Sequence, residues 1–297
     1  MTAALSPPLA APTATRSGIL YMLMAILLFT TMDALAKYLI AFYPTWQIIW
    51  VRFIGQTLLV AIFLNRRLPA LLRTRHPRLQ ALRSLCQFGA TGLFFLALGY
   101  IGLAEAHALT DINPILITLG AALFLGERLG PRRIFGVLLA LTGAMIVIRP
   151  GLGVFSPAAL LPIACAVCYA AYALTTRYMG PQENIWTSIF YASLLGTVVT
   201  SLMMPFVAVP ISLSHLPLFA GIALLGTGAQ ICLVRAYTLA EASVIAPFGY
   251  AGILFATVWG IIIFGEYPDR WTVIGALVIV GAGLYVWHRE TRAARSA

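Results

Sequence analysis

Asp33, Arg52 and Asp111 stand inside long apolar stretches, with His107 just ahead of Asp111 and Asn113-Pro114 just beyond it. A charge at the centre of a membrane costs at least about 2.5 kcal/mol unless it is paired or hydrated. Each of these residues therefore asks for a partner or a cavity. Asp33 lies ten residues before the turn at Tyr43, and Arg52 lies nine residues after it. At about 1.5 Å rise per residue, both sit roughly 14 Å from that turn, at one depth on neighbouring antiparallel helices. That spacing suits a salt bridge. Asp111 falls at a similar level, and His107, one turn away, can reach it. Pro114 removes a backbone donor and frees a carbonyl. Such a set can hold a zwitterion, gate a passage or carry a proton.

Enzymatic chemistry finds little support in the same residues. There is no Gly-rich phosphate loop and no Ser-x-x-Lys dyad, and His76, His107, His215 and His288 are scattered. Asp33 and Asp111 are the one conceivable acid dyad, but Arg52 beside them would hold both ionised, the wrong state for a shared proton. Cys165 and Cys168 have metal-like spacing without a second ligand pair, and all four cysteines lie in apolar runs, so they read as packing residues. The expectation is no enzyme, no cofactor and no metal.

The elements that must position the charges follow from composition. Hydrophobic residues make up 61% of the chain and charged residues 9%, against roughly 25% charged in soluble domains. With spans of roughly 20 residues, the sequence predicts ten membrane helices near 17–41, 46–64, 80–102, 105–125, 132–149, 157–178, 184–207, 214–236, 241–264 and 271–288. Residues 1–16, rich in Ala, Pro and Thr, read as a disordered tail, and 289–297 as a basic one. Ala34-Leu35-Ala36 imitates a secretory cleavage site, but the first span is too long and too mixed for a signal.

The net charge of +10 is distributed by side. Arg66, Arg67, Arg73, Arg75, Arg78 and Arg83 crowd one connection, and further arginines fall in other segments on that side, the C-terminal tail among them. Lys37, Arg149 and Arg270 stand on the opposite side. This bias puts both termini in the cytoplasm and makes 65–83 a topology and lipid-headgroup feature. Nucleic acid is excluded as a partner because no aromatic residues interleave with the arginines.

The chain also repeats itself. Leu103-Ala104-Glu105-Ala106 recurs as Leu239-Ala240-Glu241-Ala242, and Gly126-Glu127 recurs as Gly265-Glu266, each pair leading to a Gly-rich apolar stretch. Lys37-Tyr38 matches Arg177-Tyr178 and Trp46 matches Trp186. Two units result, 17–150 and 157–288. Five helices is an odd number, so the second unit enters the membrane from the opposite side, which yields an inverted repeat. Asp33 and Arg52 align with Ala173 and Ala192, so the shared scaffold does not require the charges. That favours function over a static lock between helices one and two.

Ten spans in a five-plus-five inverted repeat, with these landmarks, resemble the drug/metabolite transporter superfamily and, more narrowly, EamA-type permeases. The resemblance covers residues 17–288. It implies an inner-membrane carrier of small organic metabolites working by alternating access. Members export amino acids and other metabolites or import compounds such as S-adenosylmethionine and riboflavin. The aromatic amino acid exporters are the architectural analogue. A non-transporting subunit or sensor is the reading from a different class, and no charged or carbonyl-rich filter argues for a channel.

Within that frame, Asp33, Arg52, Asp111 and Asn113 are the candidate polar contacts to a substrate. Tyr169, Tyr172, Gln230 and Tyr250 are candidates for the second half's lining, with plain packing an equal alternative for the first two. His107, Pro114, Pro247 and Gly249 mark helix interruptions in the two halves, the places where a carrier binds and moves. Glu105 and Glu241 open helices, where a carboxylate suits the positive end, and Glu127 and Glu266 read as turn residues. Both charge signs beside tyrosines point to a zwitterionic substrate with an apolar or aromatic portion. Asp111 would meet its ammonium or carry a coupling proton. In sealed cells, an external cysteine reagent should label single cysteines placed near Pro44, Gly153, Pro210 and Asp269. Positions near Arg75, Pro131, Gln182 and Ala294 should stay unlabelled, and external labelling at 75 would overturn the topology.

Overall fold

The computed structural model describes residues 12–64, 74, 76–125, 131–148, 157–179, 185–239 and 246–295. Among them every regular element is helical. In chain order the α-helices are α1 (Pro12–Ile40), α2 (Thr45–Leu64), α3 (Pro77–Leu98), α4 (Leu103–Thr110), α5 (Asn113–Leu125), α6 (Pro131–Ile148), α7 (Leu160–Met179), α8 (Ile185–Val207), α9 (Leu216–Leu239), α10 (Ala251–Trp259) and α11 (Arg270–Arg295). A 3-10 turn, Ala246–Tyr250, precedes α10, and a π-helical turn, Gly260–Phe264, follows it.

Proline and capping residues set several of these starts. Pro77 and Pro131 open α3 and α6, where a missing N–H costs nothing. Asp269 caps α11 by accepting from the Thr272 N–H at 2.8 Å. Two predicted spans differ from the structure. The span 105–125 is broken after Thr110, and 246–264 is a 3-10, α and π succession rather than one rod. In addition, α1 reaches back to Pro12 and α11 runs on to Arg295, into the segments read as tails.

Consecutive helices are not the principal neighbours. The main packing pairs are α1 on α9, α2 on α8, α3 on α7 and α6 on α11. All four run antiparallel. Gly221 and Gly228 on α9 face Leu35 and Leu28 on α1, and Phe135 and Tyr285 meet at 5.7 Å at the far ends of α6 and α11. On α8, Ser201 and Trp186 meet Trp50 and Phe63 of α2. The α1–α2 turn is clasped to the α8–α9 loop by Gln47, which both donates to the Val209 carbonyl and accepts from its N–H.

Burial is the reverse of a soluble protein's. Phe206, Phe124, Phe63 and Ile62 are exposed, while Gln47, Arg52, Gln80, Arg83 and Asp33 are buried. Among the described residues six helices are long and apolar enough to cross a membrane, and hydrocarbon is the solvent that suits such an outer surface. The chain is a multi-pass membrane protein.

Glycine allows the closest backbone approach, between α6 and α11. A Cβ on Gly275 would fall 2.6 Å from the Gly143 carbonyl oxygen. Small residues at such crossings let helices associate where lipid supplies no hydrophobic drive. Gly275→Ala should therefore lower stability by about 1–3 kcal/mol, read as a drop in the melting temperature of the detergent-purified protein. Gly281→Ala, whose added methyl meets nothing, should leave it unchanged.

Candidate functional site

The buried charges converge, though not as the spacing suggests. Asp33 on α1 turns to His107 on α4, with Oδ2 and Nε2 3.3 Å apart. The two atoms are close without hydrogen-bond geometry, and Nε2 has no hydrogen-bond partner. Phe94 meets the His107 ring edge-on at 5.0 Å, and Gly252 of α10 leaves room beside Nδ1. Arg52 on α2 instead crosses to α3, where Nη1 donates to Thr91 Oγ1 at 2.5 Å. Its guanidinium lies 5.6 Å from the centre of Phe53 and 5.5 Å from that of Phe95.

Asp33 and Arg52 thus share a depth, as predicted, without the direct salt bridge. The reason lies in the packing: α1 leans on α9 and α2 on α8, so their facing surfaces diverge. His107 and Asp111 are also neighbours, as their one-turn spacing predicts. The two are joined through the backbone, Asp111 N–H to His107 carbonyl at 2.9 Å, while the imidazole serves Asp33.

Both helix breaks carry unmet polar groups. Asp111 sits in the two-residue turn between α4 and α5, and Asn113 opens α5. Asp111 Oδ2, Asn113 Oδ1, Tyr250 Oη, Arg52 Nε and Trp259 Nε1 are buried with no hydrogen-bond partner. Tyr250 closes the 3-10 turn within electrostatic reach of Asp111, its hydroxyl pressed against Gly283 of α11. Each unmet buried group costs about 1–3 kcal/mol, and native proteins keep few of them. Asp111, Asn113 and Tyr250 among them stand at the two broken helices.

The other predicted residues spread more widely. Gln230 is buried on α9, one turn from Gly226, which packs against Arg52. Gly249 lies in the 3-10 turn and faces Met22 of α1. Pro247 belongs to that turn and Pro114 to the first turn of α5. Tyr169 and Tyr172 on α7 stack at 5.8 Å, and the Tyr172 hydroxyl accepts from Arg83 Nη2 at 2.9 Å. Glu127 and Glu241 lie outside the described residues.

Three contributors escape sequence reasoning. Thr91 is a hydroxyl among many. Arg83 sits in a basic run that looks like a surface feature, yet it is buried. Glu266 reads as a turn residue but pairs with Lys37 at 2.6 Å and accepts from the Leu103 N–H, while Lys37 also donates to the Ile101 carbonyl. Gly265, at φ +64, makes the left-handed cap that aims Glu266 back at α1. This network ties α1, the α3–α4 turn and the α10–α11 turn at one end of the bundle. The repeated Gly-Glu landmark was the available signal.

The comparisons with known proteins agree with this architecture. The EamA-like transporter family model matches residues 16–149 and again 156–287. The chain is 31% identical over 272 residues to the pseudopaline exporter of Pseudomonas aeruginosa, covering 90% of this chain and 94% of that protein. It is 30% identical over 287 residues to the riboflavin transporter of Rhizobium johnstonii, covering 94% and 93%. The S-adenosylmethionine uptake transporter of Rickettsia bellii is 22% identical over 276 residues, covering 93% and 95%. A solved crystal structure shares the fold at a TM-score of 0.68 and 21% identity, covering 94% of this chain and 99% of that one. The chain belongs to the EamA-like transporter family of the drug/metabolite transporter superfamily, and it is a small-molecule transporter.

Arg52 depends on few groups, so its bonds can be tested singly. Thr91→Val removes the hydroxyl partner of Nη1 and keeps the side chain's shape. A hydrogen bond to a buried charge contributes about 1.5–3 kcal/mol. The variant should melt correspondingly lower in detergent, and an unchanged melting temperature would show Arg52 to be held elsewhere.

Proposed function

We propose that the protein carries a small zwitterionic metabolite with an aromatic or apolar portion, of the amino acid type, outward across the inner membrane. The observation that carries this reading is the cluster of unmet polar atoms at the two helix breaks, next to a buried acid–base set of both signs. Asp33 with His107, Arg52, Asp111 and Asn113 would receive the charged ends, and Tyr250 with Gln230 the remainder. Tyr169 and Tyr172 would offer aromatic faces.

Alternating access follows from the proposed inverted halves, 17–150 and 157–288, with both termini cytoplasmic. Three features support the inversion. Repeat counterparts α2 and α8 pack antiparallel, as do α6 and α11. The hydroxyls of Thr57 and Thr197, 140 residues apart, touch at 2.9 Å. A residue that meets its own counterpart lies on a twofold axis, and 140 is also the offset from Lys37 to Arg177 and from Trp46 to Trp186. In sequence, Lys37 and Glu266 have like-charged counterparts in Arg177 and Glu127, whereas Asp33 and Arg52 face alanines. The charges of the mouth are symmetric and those of the centre are not, which suits two equivalent gates around one asymmetric site.

Export follows the pseudopaline exporter among the relatives. The riboflavin and S-adenosylmethionine uptake transporters favour the second reading, import of a comparable metabolite by the same site. Proteoliposome uptake and efflux against amino acids, nucleosides and vitamins test both, and a protein that moves none of them would favour the sensor or subunit class. Asp111→Asn keeps the shape and removes the charge. Transport of amine-bearing substrates should then fall by about ten-fold or more while the protein still folds. Loss of proton dependence with exchange intact would make Asp111 the coupling residue, and unchanged kinetics for every substrate, with and without a pH gradient, would exclude it.

A further inference from the structure

Arg83 is a second buried guanidinium, far from the cluster already described. It lies on α3 with 4% of its surface exposed, while Arg78, little more than one turn earlier, is exposed. Among the described residues no carboxylate forms an ion pair with it. Its Nε donates to Thr176 Oγ1 at 2.7 Å, its Nη2 donates to the Tyr172 hydroxyl at 2.9 Å, and the guanidinium stacks 4.7 Å from the centre of that tyrosine ring. Nη1 is buried with no partner. Two hydroxyls and a ring hold the fork in one orientation, and no acid among the described residues offsets its charge.

We propose that Arg83, held by Tyr172 and Thr176 on the α3–α7 wall, is a docking site for the carboxylate of the transported solute. A guanidinium presents donors in a planar fork that matches a carboxylate, and a bare Nη leaves part of that fork open. A purely structural arginine in an apolar interior is normally matched by an acid, because the unpaired charge disfavours the folded state. Here the matching acid would arrive with the solute.

The position suits a route. Thr91, which holds Arg52, is eight residues further along α3, so the two guanidinium levels are about 12 Å apart at the helical rise. The stacked Tyr169 and Tyr172 lie on the same wall. Arg83 therefore lies along α3 from the central charges toward the N-terminal end of that helix, and the class it selects is carboxylate-bearing solutes. The transport role of the site rests on the carrier reading above.

The test compares matched acids and amides binding to the purified full-length protein: phenylalanine with phenylalaninamide, histidine with histidinamide, and succinate with succinamide. At least one acid should bind the wild type more tightly than its amide. Arg83→Gln should reduce that preference by about ten- to a hundred-fold, the size of a lost charge-assisted hydrogen bond. Arg83→Lys, which keeps the charge and loses the fork, should fall between. The proposal fails if no acid outbinds its amide, or if Arg83→Gln keeps the preference. Should Arg83→Gln not fold, the native protein decides through phenylglyoxal modification read by peptide mass spectrometry. Protection of Arg83 by the acid and not by the amide supports the site, and equal or absent protection overturns it. A wild type that binds acids in this way yet moves nothing across vesicles would sink the carrier reading and leave the carboxylate site standing.

Discussion

Hydrocarbon offers no hydrogen bonds, and every other feature of this protein follows from that constraint. Backbone groups must be satisfied within helices, and polar side chains must find partners inside the bundle. The chain accordingly turns large apolar side chains such as Phe206 and Phe63 outward and keeps Asp33, Arg52 and Arg83 within. Packing then relies on shape. Gly143 and Gly275 bring α6 and α11 into backbone contact, and Gly226 makes room on α9 for Arg52 and Met32. Where polar groups go unmet in such a medium, the structure holds free energy that a ligand can release.

The charged residues divide by role according to how completely they are satisfied. Lys37 and Glu266 are bonded to each other and to the Ile101 and Leu103 backbone, which joins three segments at one end of the bundle. Asp33, His107 and Arg52 make partial contacts, each with capacity to spare. Asp111, Asn113 and Tyr250 make fewer still. This gradient, from a saturated network at one mouth to unmet groups at the helix breaks, sets structural ion pairing apart from prospective binding. It also explains why an open groove beside the mouth, lined by Glu105, Glu266 and Asp269, is less informative. It belongs to the capping and paired residues at that end of the bundle.

The breaks have a physical origin in local sequence. Asn113-Pro114 cannot continue α4 without losing a backbone bond, so the chain turns at 111–112 and restarts. The second break combines Pro247 and Gly249 in a 3-10 turn, and α10 ends in a π turn closed by left-handed Gly265. Non-helical backbone at membrane depth is tolerated only when buried in protein or facing a polar cavity. The two interruptions carry Asp111 and Tyr250.

The sequence by itself determined the class, the helical content, the duplication and the shared level of Asp33 and Arg52. Those properties depend on composition and on distance along a helix axis, which residue spacing measures directly. Depth was legible for Asp33 and Arg52, and weakness for the segments at Asn113-Pro114 and Pro247. Tertiary structure decided partnership, because azimuth and neighbour choice depend on which helices pack. Adjacent α1 and α2 part company to lean on α9 and α8, so Asp33 meets His107 and Arg52 meets Thr91. Arg83 shows the same limit. A basic run announces a membrane surface, and only the packing of α3 against α7 turns one of its arginines inward.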